Sequence, residues 1–204
     1  MANTDKNAAR LNLYIKFLKE RLFFDPASAT LHYNLGLAYS QKGLVDEAIS
    51  ELKQALECDP KMPPAHVNLG GLYLNKGETE KCIEANLKAL EIDPDFAPAH
   101  SNLGFAFFQS GDLEKAIEHG KRALQLAPGS PQAYSVLAAA SLQAGRPETA
   151  AEASRGMLAQ NESFAPAHFN LGLALQAMGE AEEAETHLAK ARELGYPSES
   201  EPQS

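Results

Sequence analysis

The chain has 204 residues, 44% of them hydrophobic, enough for one ordinary domain or one array of small repeats. Its 27 acidic and 18 basic residues give a net charge of -9, which argues against nucleic acid or an anionic membrane surface as the main partner. Two cysteines do not make a disulfide scaffold, and no run of about 18 apolar residues predicts a membrane helix. Since the start carries no apolar leader, we expect a cytoplasmic protein.

The first predicted element is a helix over residues 8–24, which ends at Asp25-Pro26 because the residue before proline avoids the helical region. Apolar residues at helical spacing form a stripe that should pack on the next helix: Leu11, Ile15, Leu18 and Leu22. A second apolar arc on this helix consists of Leu13, Phe17 and Phe23. The second arc predicts self-association or insertion into another copy, and folding of its rings back over the next helices is the open alternative.

From residue 29 onward the sequence repeats with a period of 34 residues. Glycine recurs at that step at Gly43, Gly77, Gly111, Gly145 and Gly179. A leucine followed by a small residue keeps the same register at Leu35-Gly36, Leu69-Gly70, Leu103-Gly104, Leu137-Ala138 and Leu171-Gly172. We therefore expect an N-terminal segment, 1–28, and five repeats: 29–62, 63–96, 97–130, 131–164 and 165–198.

The residue pattern within each repeat predicts two helices. The first should end at the recurrent glycine, as C-terminal helix caps commonly do. The second begins with acidic residues such as Asp46, which the helix dipole favours, and ends before a proline such as Pro60. Because no strand pattern occurs in the sequence, we expect an all-α fold of antiparallel helix pairs.

The repeats resemble the tetratricopeptide repeat (TPR) family over five full units, and the N-terminal helix resembles half of a sixth. The residues that carry the resemblance are the Leu-Gly pair, Tyr39 three residues after the glycine, the small Ala48, Ala55 and Pro60. The repeat 131–164 is degenerate, with Ala138 and Ser141 in place of the glycine and the aromatic residue. The resemblance implies a TPR α-solenoid, a right-handed superhelix whose first helices line a concave groove, and a non-catalytic module that binds a protein or peptide.

The resemblance also places residues in that groove. The position before the leucine is asparagine in four repeats, similar to the asparagine ladder of O-GlcNAc transferase-type TPR domains: Asn34, Asn68, Asn102 and Asn170. A side-chain amide offers a donor and an acceptor, which suits the backbone of an extended peptide. The alternative is that these amides cap polar backbone or face water.

The other groove candidates are mostly apolar, so we expect a ligand that is extended and largely uncharged. They are Tyr33, Val67, Leu37, Leu74, Phe105, Phe108, Phe169 and Leu173. No lysine or arginine occupies any of these positions.

No metal, cofactor or catalytic site is predicted. Histidines recur at His32, His66, His100 and His168, but equivalent residues of stacked helices lie about 10 Å apart, whereas zinc ligands lie about 2.0–2.1 Å from the ion. We therefore expect structural histidines and a non-enzymatic adaptor. The alternative function is a scaffold that assembles into homo-oligomers through the N-terminal helix. The polar, proline-bearing residues 196–204 should be a disordered tail.

Overall fold

The computed structural model describes residues 2–197, with side chains from residue 7 onward. Within this range the regular structure is helical and no strand occurs, which confirms the all-α prediction. The helices are α1 (Ala2–Phe24), α2 (Ala29–Gln41), α3 (Val45–Cys58), α4 (Pro63–Asn75), α5 (Thr79–Ile92), α6 (Ala97–Ser110), α7 (Leu113–Leu126), α8 (Pro131–Gln143), α9 (Pro147–Leu158), α10 (Ala165–Ala177) and α11 (Ala181–Glu193). None of these described helices is long and apolar enough to cross a bilayer.

The recurrent glycines close the first helix of each pair. Gly43 has φ of 77° and Gly77 has φ of 73°, a left-handed conformation that strains any residue with a Cβ. After Gly43, the backbone N–H of Leu44 donates to the carbonyl oxygen of Tyr39 at 2.9 Å, and the N–H of Gly43 donates to Ser40 at 2.9 Å. These two bonds form a Schellman cap, so the glycine period directly sets where the first helices end.

The glycine of the Leu-Gly pair lets the two helices of a pair approach closely. A Cβ on Gly36 would lie 2.9 Å from Cγ of Leu52, and one on Gly172 would lie 2.6 Å from Cγ of Leu188. Both distances are shorter than packed carbon atoms tolerate. At these two positions the glycine therefore makes room for a leucine from the second helix of its own pair.

The chain divides into two compact units, Met1–Asn102 and Leu103–Ser204, called here the N-terminal unit and the C-terminal unit. In the N-terminal unit, α2 packs on α3, α4 packs on α5, and α1 packs against α2. Its core contains fully buried Leu35, Leu52 and Ala48, and Leu18 of α1 is 2% exposed. In the C-terminal unit, α8 packs on α9 and α10 on α11, around buried Leu171.

The two chain ends differ from the expectation. Helix α1 begins at Ala2, six residues before the predicted start, since neither proline nor glycine interrupts that segment. At the other end, the ring of Tyr196 packs on Phe169 with centroids 4.9 Å apart, so the first residue of the predicted disordered tail is packed. Residues 198–204 lie outside the described residues.

Candidate functional site

The residues predicted to meet a ligand share one structural feature: all twelve are half-buried, neither in the core nor fully in solvent. Seven belong to the N-terminal unit and form what we call the first-helix surface: Tyr33, Asn34 and Leu37 of α2, Val67, Asn68 and Leu74 of α4, and Asn102 of α6. The other five belong to the C-terminal unit: Phe105 and Phe108 of α6, and Phe169, Asn170 and Leu173 of α10.

The amide of Asn68 is held by hydrogen bonds within the unit. Its Nδ2 donates to the carbonyl oxygen of Pro64 at 2.8 Å and to the hydroxyl of Tyr33 on α2 at 3.1 Å. A backbone carbonyl can only accept, so Nδ2 must face Pro64 and Oδ1 must point the other way. Both amide hydrogens of Asn68 are thereby used, and its acceptor oxygen is what remains for a ligand.

Asn102 is oriented in the same sense by different partners. Its Nδ2 donates to Oδ1 of Asn86 at 3.2 Å and makes a longer contact of 3.4 Å to the carbonyl oxygen of Val67. Asn86 lies on α5 and is fully buried. Asn86 was not predicted from the sequence. One signal was present, because the equivalent position in two other repeats is a leucine, Leu52 and Leu188, which marks it as a core position where an amide is unexpected.

The other two asparagines lack such support. Within the described part of the chain, the structure gives no hydrogen bond to the side-chain amide of Asn34 or of Asn170. Both are half-buried and keep a donor and an acceptor for an outside partner. The four asparagines are therefore not equivalent, because two present only an acceptor and two present both groups.

The apolar candidates are divided between the two units. In the N-terminal unit Leu37 and Leu74 are half-buried on the same helices as Asn34 and Asn68, and no cation belongs to the first-helix surface. In the C-terminal unit Phe169 is partly covered by Tyr196, and Val136 of α8, which replaces the asparagine, is only 4% exposed. The first-helix surface of the N-terminal unit is thus the more regular of the two sets.

The recurrent histidines anchor the turns between helix pairs. Nε2 donates to a backbone carbonyl six residues earlier, from His66 to Pro60 at 3.0 Å and from His168 to Glu162 at 2.8 Å. The same bond joins His32 to Pro26 and His100 to Pro94, each at 3.0 Å.

The degenerate repeat, where tyrosine replaces the histidine, makes this hydrogen bond with another residue. Gln160 donates its side-chain N–H to the carbonyl oxygen of Pro128 at 2.6 Å.

One histidine has a second histidine as its neighbour. Nδ1 of His168 lies 2.8 Å from Nδ1 of His187, and burial lowers the pKa of His187. Among the described residues no group of three or more metal-ligating side chains comes together.

A recess of about 470 Å³ lies on the second-helix side of the N-terminal unit. Lys53, Lys81 and Lys88 line it, with Tyr73 among the apolar lining residues. Lys81 pairs with Glu78 at 2.6 Å and Lys88 pairs with Glu84 at 2.7 Å, while Lys53 lies over the ring of Tyr73. Two of the three lysines are thus already paired with carboxylates, and the third lies against an aromatic ring.

The second apolar arc of α1 is exposed. Leu13 is 68% exposed, Phe17 51% and Phe23 81%, and Phe24, which the sequence reasoning missed, is 82% exposed. The rings therefore do not fold back over the following helices. On the opposite side of the helix Ile15 is buried, so α1 is apolar on two faces and only one of them is covered.

Comparisons with known proteins agree with this architecture. Models described as tetratricopeptide repeat match residues 29–62 and 97–130, 51–84, and 131–155 and 165–190, and one described as TPR repeat matches 70–111. No curated protein sequence matches the chain.

Several solved structures share the fold. MamA is 29% identical with a TM-score of 0.73, and the match covers 81% of this chain and 91% of that one. PilF of Pseudomonas aeruginosa is 26% identical with a TM-score of 0.73, covering 85% and 79%. YrrB, described as a TPR protein with an unusual peptide-binding site, has a TM-score of 0.75 at 19% identity, covering 87% and 92%, and at that identity the likeness concerns the fold alone.

The family matches span most of the chain, and the helix pairs, glycine caps and Leu-Gly contacts are those that the predicted repeat requires. The chain therefore belongs to the tetratricopeptide repeat family of protein–protein interaction modules and has its all-α solenoid fold.

Proposed function

We propose that this chain is an adaptor that holds an extended, largely uncharged peptide along the first-helix surface of its N-terminal unit. The observation that carries the proposal is the pair of half-buried amides on neighbouring first helices, Asn68 and Asn102, each with its donors satisfied internally. Each leaves an acceptor oxygen that a peptide N–H satisfies. First helices lie about 10 Å apart and an extended peptide advances about 3.3 Å per residue. The two amides should therefore contact peptide residues that are about three positions apart.

Apolar side chains beside the amides supply the rest of the affinity. One hydrogen bond contributes about 0.5–1.5 kcal/mol net, too little to hold a peptide by itself. Leu37 and Leu74, on the same helices as Asn34 and Asn68, keep part of their surface exposed, and burying apolar surface is worth about 25 cal/mol per Å². Because none of the seven residues of this surface is a lysine or an arginine, the surface favours an uncharged peptide over a peptide bound through its own carboxylate.

The test is selection of ligands from a random nine-residue peptide library displayed on phage, followed by affinity measurement of the selected peptides by fluorescence anisotropy. We expect Asn34→Ala and Asn68→Ala each to weaken binding about twofold to tenfold, the equivalent of one hydrogen bond. Gln54→Ala, which removes an exposed amide from α3 on the second-helix side, is the matched control and should leave the affinity unchanged. If the selected peptides bind both asparagine variants as tightly as the wild type, the ligand does not lie on this surface.

We propose self-assembly through α1 as a second function, because the adaptor function does not explain why this helix exposes a second apolar arc. Leu13, Phe17 and Phe23 present apolar surface, and the described part of α1 is net basic, while the whole chain carries -9. A second, acidic copy of the chain therefore complements α1 in charge as well as in hydrophobicity.

Light scattering coupled to size-exclusion chromatography tests this second function. We expect the wild type to exceed the 22.0 kDa monomer mass at tens of micromolar concentration, and the triple variant L13S/F17S/F23S to return to it. Leu87→Ser removes an exposed leucine from α5 and should change nothing. A wild type that is monomeric at every concentration would contradict assembly through α1.

A further inference from the structure

The buried amide of Asn86 stands in a position where the other repeats carry leucine, glycine or serine. Its equivalents are Leu52, Gly120, Ser154 and Leu188. Asn86 is fully buried, and it meets the helix α4 at Gly70, where a Cβ would lie only 2.2 Å from its Nδ2. Burying an amide costs free energy unless both of its ends find partners. The partners of Asn86 therefore indicate what the amide does there.

One end of Asn86 is tied to its own helix. Nδ2 donates to the carbonyl oxygen of Cys82 at 2.8 Å, and because that carbonyl can only accept, the amide cannot be reversed. Its Oδ1 consequently faces Asn102, whose Nδ2 donates to it at 3.2 Å. The backbone of α5 thus sets the direction of Asn86, and Asn86 sets the direction of Asn102.

We propose that Asn86 is a positioning residue that fixes Asn102 as an acceptor-only contact, so that the bound peptide must bring a backbone N–H to that point and binds more weakly if it has proline there. This inference rests on the proposed adaptor function and deepens it by naming a requirement of the ligand. Asn68 obeys the same rule through its bonds to Tyr33 and Pro64, whereas the hydrogen bonds of Asn86 go to Cys82 and Asn102. The two contacts can therefore be separated by substitution.

Two variants at position 86 separate packing from positioning. Asn86→Leu introduces the residue that already packs against a glycine at Leu52. Asn86→Ser introduces the residue found at Ser154, whose hydroxyl donates to the carbonyl four residues earlier at 2.8 Å, as the Asn86 amide does. Serine keeps a bond to the helix and is too short to reach Asn102, so a fold that fails with leucine can still be tested with serine.

The first measurement needs no ligand. In nitrogen-15 labelled protein, the side-chain amide hydrogens of Asn102, identified by their loss in Asn102→Ala, should exchange with solvent about twofold to tenfold faster in Asn86→Leu and Asn86→Ser than in the wild type. The amide hydrogens of Asn68 should be unchanged. If those of Asn102 exchange at the wild-type rate in both variants, Asn86 does not position Asn102 and the inference fails.

The second measurement uses a nine-residue peptide selected from the phage library, with each of its backbone amides N-methylated in turn. Against the wild type, methylation at two positions about three residues apart should weaken binding about twofold to tenfold. In Asn86→Leu the position facing Asn102 should lose this sensitivity while the position facing Asn68 keeps it. Unchanged sensitivity at both positions would overturn the inference. If no selected peptide responds to Asn34→Ala or to Asn68→Ala, the adaptor function fails instead, and the exchange rates still decide the role of Asn86.

Discussion

Two adjacent glycines on α4 should respond in opposite directions to the same substitution. Gly70 is buried, and a Cβ there would lie 2.2 Å from Nδ2 and 3.0 Å from Cγ of Asn86. Around Gly71 nothing lies within 4 Å of the equivalent position. Both glycines are inside the helix, so the propensity gain of alanine is the same for both and the neighbour alone decides the sign.

The magnitudes follow from three contributions. Overpacking a filled core position costs about 1–3 kcal/mol, and displacing Asn86 weakens its bond to Cys82, worth about 0.5–1.5 kcal/mol. Replacing glycine by alanine inside a helix returns about 0.5–1 kcal/mol. Gly70→Ala should therefore lower the free energy of unfolding by about 0.5–4 kcal/mol, while Gly71→Ala should raise it by about 0.5–1 kcal/mol.

Urea unfolding followed by far-ultraviolet circular dichroism measures both variants. Repeat arrays need not unfold in two states, so the slope of the transition is compared before the midpoints are converted to free energies. The decisive control is Gly70→Ala in an Asn86→Ala background, where the Cys82 carbonyl at 3.3 Å is the nearest remaining contact and most of the penalty should disappear. A Gly70→Ala protein as stable as the wild type, or a penalty that persists without Asn86, would refute the reasoning.

Three further substitutions test the fold. Gly77→Ala, which forces alanine to φ of 73°, should lower the free energy of unfolding by about 1–2 kcal/mol in the same urea assay; an unchanged midpoint would show that the turn adapts. His66→Ala removes the hydrogen bond to the Pro60 carbonyl at a residue that is 9% exposed, and it should lower the free energy of unfolding by about 1–3 kcal/mol. An unchanged free energy of unfolding would show that the turn does not need this hydrogen bond. Burial raises the pKa of the Cys82 thiol from 9.0 to about 11, so the folded state holds its proton longer than the unfolded state. The free energy of unfolding should therefore fall by on the order of 2 kcal/mol as pH rises from about 9 to about 11. If a Cys82→Ala protein shows the same fall, other titrating groups cause it.

The helix pairs could be predicted from the sequence because each local signal has one structural outcome. A glycine every 34 residues marks a left-handed cap, and the structure has positive φ at Gly43, Gly77, Gly111, Gly145 and Gly179. The Leu-Gly pair requires a close helix approach, which the contact between Gly36 and Leu52 shows. These features depend on residues within one repeat, where spacing along the chain is enough.

The two ends of the described chain were less predictable, because their contacts do not follow from the 34-residue period. Tyr196 packs on Phe169 of α10, although composition alone marks the segment that begins at Tyr196 as polar. The exposure of Leu13 and Phe17 likewise depends on whether a neighbouring helix or a partner is present.

The direction of the asparagine amides lay beyond the sequence for a different reason. The ladder positions identify Asn68 and Asn102 as equivalent, but a side-chain amide points wherever its nearest fixed carbonyl allows. For Asn68 that carbonyl belongs to Pro64 on the same helix, whereas for Asn102 the constraint passes through Asn86 on α5 to the backbone of Cys82. Two residues that look alike along the repeat are thus held by unrelated contacts. It follows that a substitution on a second helix, away from the ligand, should change what one position of the first-helix surface accepts and leave the other unaltered.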